Sequence, residues 1–492
     1  MPDPIAFDNS YARLPERFFA RVKPTPVASP RLIKLNEPLA RQLGLDPRWL
    51  AKMDGVEMLA GNYLPRGSDP IAMAYAGHQF GSFVPQLGDG RAILLGEVID
   101  QGGAHRDIHL KGSGQTPYSR RGDGRAALGP VLREYIVSES FAALGIPTTR
   151  ALAAIMTGEV VLRETPLPGA VLARVAASHV RVGTFQFFAS RGDVEGVKHL
   201  ADYVIARLYP EAADAPDRYR TLLDMVIGRQ ATLIAQWMSV GFIHGVMNTD
   251  NMSIAGETID FGPCAFMDNY DPATVYSSID RMGRYAFANQ PAITQWNLAW
   301  LAECLLPLLS DNADRARALA IESIEAFPAR FEAAHLSCLR RKLGLFTQQP
   351  DDLSLANDLF DRMARSKADF TLTFRRLCDA AAGSEGDAAV RALFAEPGDF
   401  DEWAIKWRAR LSQEKASASE RRSAMRSVNP LFIARNHLVE EVIAAAVDRL
   451  DFALFEQLLT VLAKPFEDQP QLARYADPPR PDQVVHATFC GT

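Results

Sequence analysis

No stretch of this 492-residue chain approaches the ~20 consecutive apolar residues that a membrane-spanning helix needs, so no such span is expected. Cysteine is scarce. Cys264, Cys304, Cys338, Cys378 and Cys490 are the five, and none stands in a C-x-x-C pair, which argues against a structural zinc site and against a disulfide-stapled secreted scaffold. The opening MPDPIAF carries neither the basic region nor the apolar core of a secretory leader, so a cytoplasmic protein is expected. Neither sign of charge dominates: 53 Lys and Arg stand against 59 Asp and Glu, a net charge of −6, which does not suit a general nucleic-acid binder. No internal repeat and no long low-complexity linker is visible. Neither nucleic acid nor membrane is expected as a partner, and a monomer is expected.

What is present suits a large globular protein, with 48% hydrophobic and 23% charged residues. Residues 1–70 are proline-rich and read as an irregular extension with one helix, about Glu37 to Leu43. From about Ile71 to Ala153 strands dominate. In Asp107 to Lys111, Ile108 and Leu110 fall on one face and His109 and Lys111 on the other. A helix follows from about Pro130 to Leu144, with proline in its first turn and Gly145 at its end. A second strand-rich stretch is expected from about Glu159 to Phe188. A long helix from Tyr219 to Ser239 comes next, then a polar loop, and after about Tyr276 the chain reads as helical to about Leu462. The tail from Asp468 to Asp482 reads as irregular.

The loop HGVMNTDN, His244 to Asn251, is followed by Asp260, Phe261 and Gly262. It is similar to the metal-binding half of a protein kinase site, with one part missing. In H-R-D-x-x-x-x-N the base aspartate stands five residues before the asparagine. Here that position is Val246, and a carboxylate stands beside the asparagine instead, at Asp250. The chain is therefore either an inert nucleotide binder or an enzyme doing different chemistry on the nucleotide. Asn251 and Asp260 form a suitable oxygen pair for a cation that keeps waters and phosphate oxygens as its other ligands. Asp250 is either a turn residue or a general base. His244 reads as a structural post.

Glu134 sits among Val131, Val137 and Phe141 at helical spacing, so a buried carboxylate in need of a partner is expected there. Lys111 fits that role, as in the lysine–glutamate pair that positions nucleotide phosphates; the alternative is two surface charges. Glycine-rich segments, Gly88 and Gly90 beside Arg91, and Gly112 through Asp123 and Gly124 to Arg125, can offer backbone N–H groups to phosphates. Arg174 lies among apolar strand residues, with Arg181 seven further on. Their partners are either a bound polyphosphate or carboxylates.

These segments together resemble the selenoprotein O family, known as YdiU in bacteria. The resemblance is carried by Gly88 to Arg91, Leu110 to Arg125, Arg133 to Tyr135, Gly145 to Arg150, Ala173 to Thr184, Gly241 to Met252 and Asp260 to Pro263. Asn429 to Asn436 and the terminal Cys490 extend it. The resemblance implies an α+β, protein kinase-like two-lobed fold. The N-terminal extension would span 1–70, the N-lobe 71–170, the C-lobe 171–330, and a helical C-terminal region 331–492. It implies transfer of AMP from ATP, or UMP from UTP, to protein hydroxyls with the nucleotide turned around relative to kinases. Gly88, Gly90, Arg91, Lys111, Asp123, Gly124, Arg174, Arg181 and Asp260 would then bind ATP. Glu134 would orient Lys111, Asp250 would accept the proton, and Asn251 and Asp260 would hold Mg²⁺ or Mn²⁺. Some bacterial members pair the terminal cysteine with one in the activation-loop region, for which Cys264 is the nearby candidate here. Ordinary phosphoryl transfer and a catalytically inactive nucleotide-binding scaffold are the competing readings.

Overall fold

A computed structural model describes residues 5–489. One antiparallel sheet organises the first part of the chain. Its strands are β1 (Phe19–Arg21), β2 (Arg31–Leu35), β3 (Ile71–Met73), β6 (Ala92–Ile99), β7 (His105–Lys111), β9 (Arg150–Leu162) and β10 (Pro166–Ala176), in the order β1-β3-β6-β7-β10-β9-β2. The short β8 (Ala126–Ala127) pairs with β10, while β4 (Gly77–Gln79) and β5 (Ser82–Val84) form a separate hairpin. The small pair β11 (Phe242–Ile243) and β12 (Ala265–Phe266) lies in the second part.

The first seventy residues are more ordered than their proline content suggests. The expected helix is there, at Glu37–Gln42, joined by helices Pro47–Leu50 and Met53–Ala60. β1 and β2 supply the two ends of the main sheet order. Such edge pairing depends on partners far away in sequence, so local composition does not report it.

One face of the sheet packs Ile108, Leu110, Val171 and Ala173 against Leu39, Leu50 and Leu59 of these early helices. The other face carries helix Leu128–Ala143, whose Val131, Tyr135 and Phe141 join a second core with Trp237, Phe261 and residues of the late helix Asn436–Arg449. The alternation expected at 107–111 is therefore realised: the apolar residues enter a core, and His109 and Lys111 face the other way. Residues 182–189 differ from expectation. They form a helix rather than a strand, begun after extended Arg181 and closed by the Thr184 hydroxyl on the Arg181 N–H. Val182, Phe185 and Phe188 are buried in a third core, so tertiary packing overrides the β preference of these aromatic residues.

The long helix runs Arg218–Ser239, and helices dominate from Gln290 to Leu462. The tail read as irregular holds two 3-10 turns, Pro470–Tyr475 and Pro481–Gln483. The fold is α+β, with a sheet-bearing part and a helical part. Among the described residues no helix is long and apolar enough to cross a membrane.

Candidate functional site

β7 is paired on both sides, and Lys111 stands opposite Ala92 of β6 and Leu172 of β10, while His109 stands opposite Arg174. Alternation along the strands therefore brings His109, Lys111 and Arg174 to one face of the sheet. Beneath that face lies Glu134, buried in its helix. Lys111 Nζ donates to Glu134 Oε2 at 2.5 Å, and Arg174 Nη1 donates to Glu134 Oε1 at 3.0 Å. The pair expected from sequence is thus formed, and the two-surface-charges alternative is not.

Asp260 closes the cluster. Its Oδ1 accepts from Lys111 at 2.9 Å and Arg174 at 2.6 Å, and its Oδ2 accepts from Arg181 at 3.0 Å. Burial opposes its ionisation, but Lys111, Arg174 and Arg181 hold the carboxyl well below the usual range. The same competition leaves Glu134 lowered, with Lys111 and Arg174 outweighing burial. Burial works against Arg181's charge as well, yet its pKa is raised by Tyr75 and the carboxylates of Asp260, Asp89 and Asp250. Its guanidinium lies 4.6 Å from the Tyr75 ring centroid. For both arginines the carboxylate alternative is therefore the one realised in the protein by itself. Thr258 makes a single bridge to Thr148, and Asp260 has φ 61°, a left-handed conformation uncommon for a non-glycine residue. That turn directs its carboxylate back to the cations.

Asp250 lies in a 3-10 turn, Thr249–Asn251, so it is a turn residue and a cleft residue at once. Burial raises its pKa to about 6, against the opposing hydrogen bond from Gln79. Its Oδ2 accepts from Gln79 Nε2 at 3.2 Å, and its Oδ1 is buried with no partner among the described residues. Asn251 donates Nδ2 to Val246 O at 3.0 Å, which leaves its side-chain oxygen for another ligand. His244 is buried, bonds the Ile259 carbonyl through Nε2 at 2.9 Å and stacks on Trp237, as a structural post should.

Gly88, Gly90, Arg91, Lys111, Asp123, Gly124, Arg174, Arg181, Asp250, Asn251 and Asp260 all line one cavity of about 800 Å³. Glu134 lies just behind Lys111 in an adjoining recess. Two glycines are sterically required. A Cβ on Gly88 would stand 2.3 Å from the Tyr118 ring, and one on Gly124, at φ +68°, 2.1 Å from Gly114. Asp123 is not part of the buried cluster. It pairs with Arg163 at 2.8 Å and accepts from the Arg125 N–H at 2.9 Å, fixing the loop at the cavity rim.

Two buried groups escaped the sequence reading. Asp89 accepts from the Met73 N–H at 3.0 Å and meets His109 Nε2 at 3.3 Å, while His109 Nδ1 meets Arg174 Nη2 at 3.1 Å. An arginine only donates, so His109 accepts through Nδ1 and donates through Nε2 to Asp89. Burial lowers its pKa, in keeping with a neutral ring. His109 was visible on the Lys111 face, but nothing in the sequence pointed to its pairing with Arg174.

Among the described residues no group of three or more His, Cys, Asp or Glu side chains could hold a metal ion. The side-chain oxygens of Asn251 and Asp260, which line the same cavity, nevertheless suit a hard cation that takes its remaining ligands from phosphate and water. Cys264 is buried. Its implied partner Cys490 lies outside the described residues.

The chain matches the family model described as protein adenylyltransferase SelO over residues 4–463. It is 66% identical over 486 residues to a Bradyrhizobium protein and 64% identical over 486 residues to one from Rhodopseudomonas palustris, with 99% of each chain covered. Both relatives carry the name protein nucleotidyltransferase YdiU.

Proposed function

The chain belongs to the protein adenylyltransferase SelO family, and from that premise we propose that its cleft binds ATP and transfers AMP to serine, threonine or tyrosine hydroxyls of other proteins. The observation that carries this reading is the cluster of Lys111, Arg174 and Arg181 converging on Asp260, beside a buried Asp250 whose Oδ1 has no partner among the described residues. Three cations in one recess suit a polyphosphate, and a carboxylate beside it that is held by the Gln79 amide suits a hydroxyl.

In this reaction the acceptor oxygen attacks the α-phosphorus of ATP, the bond from that phosphorus to the bridging oxygen of pyrophosphate breaks, and the hydroxyl proton passes to the Asp250 carboxylate. Lys111, held by Glu134, and the two arginines bind the phosphates and the departing pyrophosphate, supplying fixed positive charge where negative charge grows. Asn251 and Asp260 would hold Mg²⁺ or Mn²⁺, which when bound supplies further charge stabilisation to the phosphates. Gly88, Gly90, Arg91, Asp123 and Gly124 form the rim that receives the nucleotide. The inverted placement of ATP explains why a valine can stand at position 246. With the α-phosphorus at the reacting position, the acceptor approaches Asp250 rather than the site of the usual kinase base.

The sheet-bearing part and the helical part would act as the two lobes of a kinase-like domain, with boundaries near 71–170 and 171–330. A cytoplasmic, monomeric enzyme acting on protein substrates fits this reading, with no nucleic-acid or membrane partner. Mass spectrometry of acceptor proteins after incubation with ATP and Mg²⁺ tests it. Adenylyl adducts with the natural protein, and none with Asp250→Asn, are expected; phosphoryl adducts would contradict it.

A further inference from the structure

The hairpin β4–β5 stands apart from the main sheet, yet it touches the Asn248–Asp250 loop at every step. His78 N–H donates to Thr249 Oγ1 at 2.7 Å, Gln79 Nε2 to Asp250 Oδ2 at 3.2 Å, and Phe80 N–H to Asn248 Oδ1 at 3.0 Å. Gln186 adds a brace behind them, bonding Thr249 Oγ1 through Oε1 at 2.6 Å and His78 Nδ1 through Nε2 at 2.8 Å. Asp250 packs so closely on the hairpin that a Cβ on Gly77 would stand 2.5 Å from its Oδ1.

The hairpin is also strained where it meets the loop. Its two-residue turn places Phe80 at φ 51° and Gly81 at φ 85°, the paired positive values of the tight turn that suits a twisted hairpin. Asparagine, aspartate or glycine ordinarily fills the first of these positions, and a phenylalanine there is costly. The cost is offset by contact: the Phe80 ring meets Tyr285 edge-on at 5.2 Å, and the Tyr285 hydroxyl donates to Asn248 Oδ1 at 2.6 Å. A surface turn would need none of this. A turn that aims a side chain at a reacting group would.

We infer that Gln79 is a positioning residue for Asp250: its amide holds Oδ2 while Oδ1 packs against Gly77, and together they fix the orientation in which the carboxylate meets the acceptor hydroxyl. This rests on the role proposed for Asp250 above. An amide suits the task because it donates without bringing a second charge to the carboxylate. Gln79 is not itself a catalytic residue, since the bond it makes is to Asp250.

The test compares the natural protein with Gln79→Leu, using ATP labelled at the α or the γ position, Mg²⁺ and casein as added acceptor. Gln79→Leu is expected to lower kcat by about ten- to a hundredfold, the scale on which orienting partners act. Its KM for ATP should stay within about twofold, because Lys111, Arg174 and Arg181 are untouched. A raised KM with kcat unchanged, or no loss at all, would overturn the inference. The position of the label reports the reaction, so a γ-label would contradict the proposed function while leaving the comparison readable. Crystal structures of the natural protein and Gln79→Leu give a test free of turnover. The Asp250 carboxylate should move in the variant, and an unchanged carboxylate would sink the assignment.

Discussion

Arg174 Nη1 and Asp260 Oδ1 lie 2.6 Å apart, with the arginine side chain only 2% exposed. Lys111 and Arg181 share the same carboxylate group, so the protein by itself neutralises the cations proposed to bind phosphate with the residue proposed to bind metal. Binding a metal–nucleotide would exchange partners, the cations turning to phosphate and Asp260 to metal.

Asp260→Ala should therefore do two separable things. It should abolish metal-dependent transfer, and it should destabilise the protein alone by about 3 kcal/mol, the scale of stranding buried charge. Thermal melting with and without pyrophosphate checks this. Pyrophosphate should recover part of the loss, because the anion replaces the missing carboxylate.

Lys111 and Glu134 differ in what they should cost. Lys111→Met removes a cation that would touch phosphate and should lower kcat/KM for ATP by about a hundredfold. Glu134→Gln should cost less, since Arg174 and Asp260 still anchor the cluster. Initial rates over a range of ATP concentrations separate the two, and equal losses would argue that Lys111 acts only through the pair.

The late members of this cluster were more legible in the sequence than the device that aims them. Lys111 could be read because alternation in the strand sets it opposite Ile108 and Leu110, and Glu134 because helical spacing puts it on an apolar face, where a carboxylate needs a partner. Asp250, Asn251 and Asp260 could be read because a polar loop and a glycine turn follow an apolar helix. Gln79 left no trace, because a three-residue strand has too short a pattern and its partner lies 171 residues away. Separation in sequence also hid the edge strands, since Phe19 of β1 pairs with Met73 and Arg31 of β2 with Met156. At 182–188 the aromatic residues misled, since what fixes them as helix is the core they enter.

Glu257, which lines a recess other than the cavity of Lys111 and Asp260, offers a pH test. Burial pushes its carboxyl up to about 7, although the Ala177 N–H and Arg106 favour the charged form. The folded state therefore holds this proton more tightly than the unfolded chain, whose pKa is near the ordinary 4.5. Below that value the group costs nothing. The penalty grows as pH rises towards about 7 and is complete above it, at about 3 kcal/mol as an upper bound. Glu257→Gln keeps an oxygen for the Ala177 N–H. It should raise stability by about 1–3 kcal/mol at pH 8 and leave it unchanged near pH 4.5. Denaturant unfolding at the two pH values checks the sign.

The most direct test of the central claim uses ATP labelled at the α-phosphate and, in parallel, at the γ-phosphate, with Mg²⁺ and then Mn²⁺, reading label on the protein and on an added protein acceptor. Label from the α position alone is expected, because Asp250 and the Lys111–Arg174–Arg181 cluster are read as serving an inverted nucleotide. Label from the γ position alone would make the chain a phosphotransferase and contradict that reading.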